Sequence, residues 1–245
     1  MKEIVFNSKV VTSLQHLRLT RPDKVYDAYF AVTKATLQDL EPLSDLYLEE
    51  SERAYAQSLK FDRRRASYSL GRYCGKIALG AYLDESDLQK ISIKAGVFGQ
   101  PVVDYLRPHD AQVSIAHTES LGAALAFSEE HPMGLDVEVI DSSRDETIAK
   151  TFTEHESVLH SKLGIDQSSA YVLIWTIKEA VAKVLRTGIT TPLKIFEVKE
   201  LAREGKFWIS SLKNFPQYKI YSYIEEGRAC SIASPYKSII DWRAV

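Results

Sequence analysis

The hydrophobic positions of the chain recur most regularly between Tyr171 and Gly188. Leu173, Ile177, Ala180, Val181 and Val184 fall at i, i+4, i+7, i+8 and i+11, which is one face of an α-helix. Ser168 or Ser169 is placed to cap its start, and Gly188 to end it in a left-handed conformation. A second stripe, formed by Ala66, Leu70, Tyr73, Cys74, Ile77 and Ala81, predicts a helix from a cap at Asp62 to about Leu83. Gly71 and Gly75 weaken that helix relative to alanine, so a close-packed neighbour is expected there. Ser44 can cap a helix reaching to about Leu59, with Asp45 suited to its dipole. A short helix is expected from about Glu146 to Phe152. Thr153, three residues before Glu156, then reads as the capping box of another.

Between the helical stripes lie short β-patterned runs. Ile4 to Phe6 begins the chain, the residues after it are mixed up to the turn Arg21-Pro22-Asp23, and Val25 to Val32 reads as the first core strand. Further strands are expected at Ile91–Ile93, Val113–Ala116 (ending at His117), Leu121–Phe127, Met133–Ile140, Ile195–Val198, Phe207–Leu212, Tyr218–Ile224 and Ala229–Ala233. Glu129-Glu130-His131-Pro132 reads as a loop closing a hairpin, and Glu225-Glu226-Gly227 as another turn. Helices and antiparallel-type strands are mixed in both halves, which predicts an α+β protein rather than a wound parallel sheet. The best seam is at the 129–132 turn, giving halves of about 1–130 and 131–245 with no low-complexity linker between them.

With 45% hydrophobic and 26% charged residues, the chain has the make-up of an ordinary globular protein. A net charge of −2 gives no whole-chain case for nucleic acid, so any basic site must be local. Cys74 and Cys230 stand far apart in apolar surroundings and are expected to be buried free thiols, which fits a reducing compartment. No apolar run approaches the ~20 residues of a membrane span. Lys9, Gln15, His16 and Arg18 interrupt any apolar core of a signal peptide, so a cytoplasmic protein is expected. His16, His109, His131, His155 and His160 show no ligand spacing and read as surface or internally satisfied histidines.

Three charged patterns remain. Gly134-Leu135-Asp136-Val137-Glu138-Val139 alternates, so Asp136 and Glu138 share one strand face while Leu135, Val137 and Val139 face the core. Two carboxylates about 6 Å apart repel by about 3 kcal/mol at an effective dielectric of 20. An open face would screen that cost, whereas a covered face would need a cation, and hard oxygen ligands favour Mg²⁺ or Mn²⁺ over zinc. Off the buried side of the main helix lie Trp175, Glu179 and Lys183, with Lys178 beside them. On the Asp62–Leu83 helix, Arg65, Arg72 and Lys76 form a basic strip with Arg64 close by. Each pattern alone also fits a solvated face. Together they fit transfer from a diphosphate: acids for a metal, lysines on the phosphates, and arginines for a further phosphate. P-loop and Rossmann glycine patterns are absent.

These residues carry a resemblance. Gly134-Leu135-Asp136-Val137-Glu138 resembles the G-[IV]-D-[IV]-E signature of 4′-phosphopantetheinyl transferases, and Trp175 to Lys183 resembles their W-[ST]-x-K-E-A-x-x-K, at family-like spacing. Ser114 to Thr118 is similar to the S-H-S/T strand end that precedes them, Gly99-Gln100-Pro101 stands where G-K-P is usual, and Arg64-Arg65 with Gly71-Arg72 resembles the basic helix of the larger, two-half members that activate synthetase carrier proteins. The resemblance covers roughly residues 45 to 200.

It implies a monomeric, pseudo-twofold α+β fold of two similar halves, each a small, mainly antiparallel sheet packed with helices, with coenzyme A between them. It further implies that Asp136, Glu138 and Glu179 hold Mg²⁺, that Lys178 and Lys183 sit on the phosphates, and that His117, Arg64 and Arg72 reach the 3′-phosphate, with Ser114 and Gln100 among the coenzyme A contacts. The implied reaction moves phosphopantetheine onto a serine of an apo acyl or peptidyl carrier protein and releases adenosine 3′,5′-bisphosphate. Serine needs a base, for which Glu179 or a metal-bound water is the candidate; Glu179 and Lys183 are the implied catalytic pair. Gln100 departs from the usual lysine, so one phosphate contact loses its charge. The rival reading is a non-catalytic module of the same fold that binds coenzyme A or another nucleotide.

Overall fold

The computed structural model describes residues 2–7, 10–187 and 191–242, with residues 2–7 described through their backbone alone. The chain forms two compact units, Met1–Pro132 with Ser238–Val245, and Met133–Lys237. The division falls at Pro132/Met133, and the tail belongs with the first unit because Ile239 and Ile240 pair with Thr20 and Leu19. Residues 238–245 were expected in the second half. The expected hairpin at 129–132 is also not formed, since the strands on its two sides lie in different sheets.

In the first unit, β1 (Lys2–Asn7), β2 (Val10–Thr20) and β3 (Val25–Lys34) form an antiparallel meander. Short helices α1 (Leu37–Leu40), α2 (Ser44–Tyr47) and α3 (Glu50–Ser58) precede the long α4 (Asp62–Leu83). The hairpin β4 (Ser92–Ala95) and β5 (Pro101–Asp104) follows, then β6 (Ala111–His117) and β7 (Leu121–Ser128). The main sheet runs β1-β2-β3-β7-β6, with the last strand of the chain on β2. Helix α4 lays Leu70, Tyr73, Cys74 and Ile77 on Ala31, Ala124 and Ala126. Its glycines are explained by that contact: a Cβ on Gly75 would stand 2.9 Å from Ile115 Cδ1 and 3.0 Å from Ile93 Cδ1. The expected helix from Ser44 to Leu59 is broken, because Leu48 is extended and Glu49 starts a new one as N-cap to Ser51. Strand β2 has no sequence signature because its inward positions include Thr12 and Gln15, and their parity shifts midway along the strand. Thr12 meets its needs through the Thr33 hydroxyl at 3.0 Å.

The second unit comprises β8 (Gly134–Val139), α5 (Asp145–Ala149), α6 (Glu154–Leu159) and α7 (Gln167–Val184), then β9 (Val198–Glu204), β10 (Phe207–Leu212), β11 (Tyr218–Glu225) and β12 (Arg228–Pro235). Its sheet order is β8-β12-β11-β10-β9, all antiparallel. The stripe Leu173, Ile177, Ala180 and Val181 packs against Trp208, Ile220, Ala229 and Ala233. Asp166, rather than Ser168 or Ser169, caps α7 by accepting from Ser169 N at 3.0 Å. Gly188 lies outside the described residues, and Arg186 (φ +55°) takes the left-handed position after the helix. The Ile195–Val198 run is a 3₁₀ turn that only then becomes β9.

The two units repeat one plan. Order β3-β7-β6 with α4 in the first corresponds to β8-β12-β11 with α7 in the second. A buried ion pair recurs at the same place in each. Lys178 on α7 donates to Glu156 at 2.6 Å and to the Thr151 carbonyl at 2.9 Å, while Glu156 accepts from Val198 N at 2.9 Å. Lys76 on α4 donates to Glu52 and to the Tyr47 carbonyl, and Glu52 accepts from Ile93 N at 3.0 Å. In each unit a glutamate at the third position of a short helix ties that helix, the long helix and the following strand together, five residues after the carbonyl that shares the lysine. No shared run of sequence announces this duplication.

Candidate active site

Gly134 fixes the geometry of the second unit's acidic site. A Cβ there would stand 2.0 Å from the Ala180 carbonyl oxygen, so only glycine lets β8 approach the backbone of α7 this closely. Asp136, two residues on and on the same face, is thereby brought to Lys183, whose ammonium donates to Asp136 Oδ1 at 2.9 Å. The strand face is covered: Asp136 is only 6% exposed, and its Oδ2 is buried with no hydrogen-bond partner. Burial pushes the Asp136 carboxyl up from its ordinary value; Lys183 pulls it back and Glu138 pushes it further up. Glu179, half-buried on α7, is also raised, first by burial and then by the like charges of Asp136 and Glu138, with Lys183 opposing. Arg144 Nη1 donates to Glu138 Oε2 at 2.6 Å, and its guanidinium stands 5.8 Å from the Trp175 ring centroid. Leu135 and Val137 are buried, but on the sheet face away from α7 and its core rather than in it, and Val139 is 40% exposed.

Asp136, Glu138, Glu179 and Lys183 thus interact in one place. Lys178 does not join them. It is fully buried, with its ammonium held by Glu156 and the Thr151 carbonyl, and burial lowers its pKa. A phosphate-binding role is corrected on that ground: an ammonium so enclosed cannot meet a ligand without breaking a buried pair. The sequence marks Glu156 only as part of a helix cap. Its second duty, pairing with Lys178, leaves no local trace beyond the Thr153/Glu156 capping box.

In the first unit the basic strip is also revised. Lys76 is buried on Glu52, and Arg65 donates to Asp62 at 2.7 Å. Arg72 lies over the Tyr68 ring at 4.5 Å with its Nε 3.7 Å from Glu52 Oε1, while Arg64 is exposed at the first turn of α4. The His117 ring rests against Gly71 near the middle of α4, where a Cβ would stand 3.6 Å from its Cδ2; Arg72 is the next residue of the helix. Ser114 is buried, and strand alternation puts it on the other face of β6 from Ile115 and His117. Gln100 folds onto its own turn: its Oε1 accepts from Phe98 N at 2.9 Å and its amide covers Gly96.

Among the described residues no group of three or more His, Cys, Asp or Glu is arranged so that it could hold a metal ion. Lys183 and Arg144 take an oxygen each of Asp136 and Glu138 instead. By chemistry the donor set suits a hard divalent cation: all three groups are carboxylates, Asp136 Oδ2 is buried with no hydrogen-bond partner, and Glu179 feels the charge of both Asp136 and Glu138.

The model of the 4′-phosphopantetheinyl transferase superfamily matches residues 132–233, the segment that holds every residue of this acidic site. A curated relative, the 4′-phosphopantetheinyl transferase gsp of Aneurinibacillus migulanus, is 27% identical over 152 residues, 62% of this chain and 61% of that protein. The match therefore spans less than two thirds of the relative's length. Among solved structures, a Bacillus anthracis holo-(acyl-carrier-protein) synthase in complex with CoA (3′,5′-ADP) is 18% identical, covering 47% of this chain and 96% of that one at a TM-score of 0.36. The Thermotoga maritima holo-[acyl-carrier-protein] synthase is 21% identical, covering 58% and 76% at a TM-score of 0.33. Scores that low add no weight. The glycine-fixed Asp136, the Glu138 beside it and the Glu179/Lys183 turn of α7 all fall inside the segment that matches the 4′-phosphopantetheinyl transferase superfamily, so that segment of the chain is similar to the family where its acidic site lies.

Proposed function

We propose that the protein transfers 4′-phosphopantetheine from coenzyme A to a serine of an apo acyl or peptidyl carrier protein, releasing adenosine 3′,5′-bisphosphate. The observation that carries this reading is Asp136, a buried carboxylate with one oxygen on Lys183 and the other unpartnered, flanked by Glu138 and Glu179. Three carboxylates drawn together at a covered site are costly unless positive charge meets them. Asp136, Glu138 and Glu179 would hold Mg²⁺, which supplies charge neutralisation on the pyrophosphate oxygens.

The remaining work falls to the chain's own groups. Lys183 binds a pyrophosphate oxygen and stabilises charge as it builds there. Glu179, whose carboxyl is raised by burial, accepts the proton from the serine hydroxyl. The serine oxygen bonds to the β-phosphorus of coenzyme A. The bond from that phosphorus to the bridging oxygen breaks, and the electron pair leaves with adenosine 3′,5′-bisphosphate. His117, Arg72 and the exposed Arg64 have the charge and donors that suit the 3′-phosphate, whereas Gln100 is taken up by its own turn and Ser114 lies on the other face of β6 from His117. Lys178 takes no part in binding. No described helix is long and apolar enough to cross a membrane.

The test is Glu179→Gln and Asp136→Asn, each compared with the parent in phosphopantetheine transfer at equal far-ultraviolet dichroism. Loss of a proton acceptor is expected to lower the rate by about 10²–10⁴-fold. A Glu179→Gln protein that transfers at the parent rate refutes the role of Glu179.

A further inference from the structure

We infer that Arg144 is a phosphate-binding residue of the acidic site, held on Glu138 until a divalent cation takes that carboxylate. The inference rests on the function proposed above and adds a residue to it. Arg144 closes the 3₁₀ turn Ser142–Arg144 at the start of α5, and nothing in the local sequence pattern marks it. Its backbone is fixed: Arg144 N donates to the Asp141 carbonyl at 3.1 Å, and Asp141 caps the turn through Ser143 N at 2.9 Å. The next residue, Asp145, accepts from Ser168 at 2.9 Å, which ties the turn to the first turn of α7. The side chain is therefore the part that can change partners.

Its guanidinium lies between Glu138 and the ring of Trp175, one helical turn before Glu179. At 37% exposure it is reachable from solvent, unlike Lys178. Charge explains why it would move. With Asp136, Glu138 and Glu179 ionised, Lys183 and Arg144 leave the site with one negative charge, and a divalent cation converts that to one positive. Arg144 holds only Glu138 Oε2, but a cation on that carboxylate draws off its charge and repels the guanidinium, which weakens the pair. A pyrophosphate arriving with the cation offers the displaced guanidinium a set of oxygens that its planar fork fits. Lys183 and Arg144 then both exchange carboxylates for phosphates, Lys183 leaving Asp136 and Arg144 leaving Glu138.

The assignment predicts opposite changes in two binding constants, measured by calorimetry on the full chain with Mn²⁺ and with coenzyme A. Arg144→Gln should bind Mn²⁺ alone about 3–10-fold more tightly, because a competing cation is gone. At saturating Mn²⁺ it should bind coenzyme A about tenfold more weakly, because a charge-assisted phosphate contact is lost. Arg144→Lys should fall between the two for coenzyme A. Both constants within twofold of the parent would overturn the inference and leave a surface ion pair. Both weakening together would also overturn it, in favour of a purely structural role for the turn. A parent protein that takes up no coenzyme A would sink the proposed function along with this inference, which separates that failure from the other two.

Discussion

Among single residues, Asp136 is the buried centre of the acidic site. Its carboxyl is raised above the ordinary 3.8 chiefly by burial, so the folded protein holds its proton more tightly than the unfolded chain does. The stability it contributes is fully present below that ordinary value and is lost as pH rises through the raised one. Asp136→Asn removes the titration, and Lys183, 29% exposed, can be solvated when its partner goes. In metal-free protein the melting temperature of Asp136→Asn should therefore gain on the parent as pH rises from 4 to 8, and the gain should shrink on acidification; a pH-independent difference would contradict the desolvation argument. Asp136, Glu138, Glu179 and Lys183 were legible in the sequence because alternation on β8 and 3.6-residue spacing on α7 each put charged groups on one side. The burial of Lys178 is not legible in the sequence, because lysine ordinarily marks solvent and its buried partner Glu156 lies 22 residues away. Arg144 had no readable signal, since its contact with Glu138 depends on a turn.

At the scale of elements, the close approach of β8 to α7 sets the site. Gly134→Ala would drive a methyl group into the Ala180 carbonyl, and relief requires the strand or helix to shift. A loss of about 1–3 kcal/mol in denaturant unfolding is expected, as for overpacked cores, together with weaker Mn²⁺ binding. An unchanged protein would mean that the approach is not needed. The two buried pairs make a sharper prediction. Glu156→Ala strands Lys178 without a counter-charge and should cost about 3–5 kcal/mol, whereas Glu156→Leu with Lys178→Met should cost far less. Equal losses in the single and double variants would show that the pair's charges are not what matters. Long elements such as α4 and α7 were legible from hydrophobic period alone. The broken helix at 44–58 was not, because Leu48 and Glu49 carry no glycine or proline to mark the break.

At the scale of the molecule, the α+β class was legible, but the return of the tail to the first unit was not, because a two-residue strand has no pattern. His131 is buried in that unit, and its ring is hydrogen-bonded to Ser238, just before the tail strand. Burial lowers its pKa from 6.5 to about 4, so it folds neutral and the unfolded chain binds the extra proton between those values. Stability should be whole above pH 6.5 and fall as pH drops towards 4, by up to about 3 kcal/mol. His131→Gln should flatten that segment of a urea-stability curve; an unflattened curve would place the acid sensitivity elsewhere. The central claim is transfer itself. Its most direct measurement is the intact mass of apo acyl and peptidyl carrier proteins incubated with this protein, coenzyme A and Mg²⁺, with and without EDTA. The account predicts a gain of one phosphopantetheine on at least one carrier, abolished by EDTA. A gain that persists in EDTA would contradict the role of the three carboxylates, and no gain on either carrier would contradict the transfer.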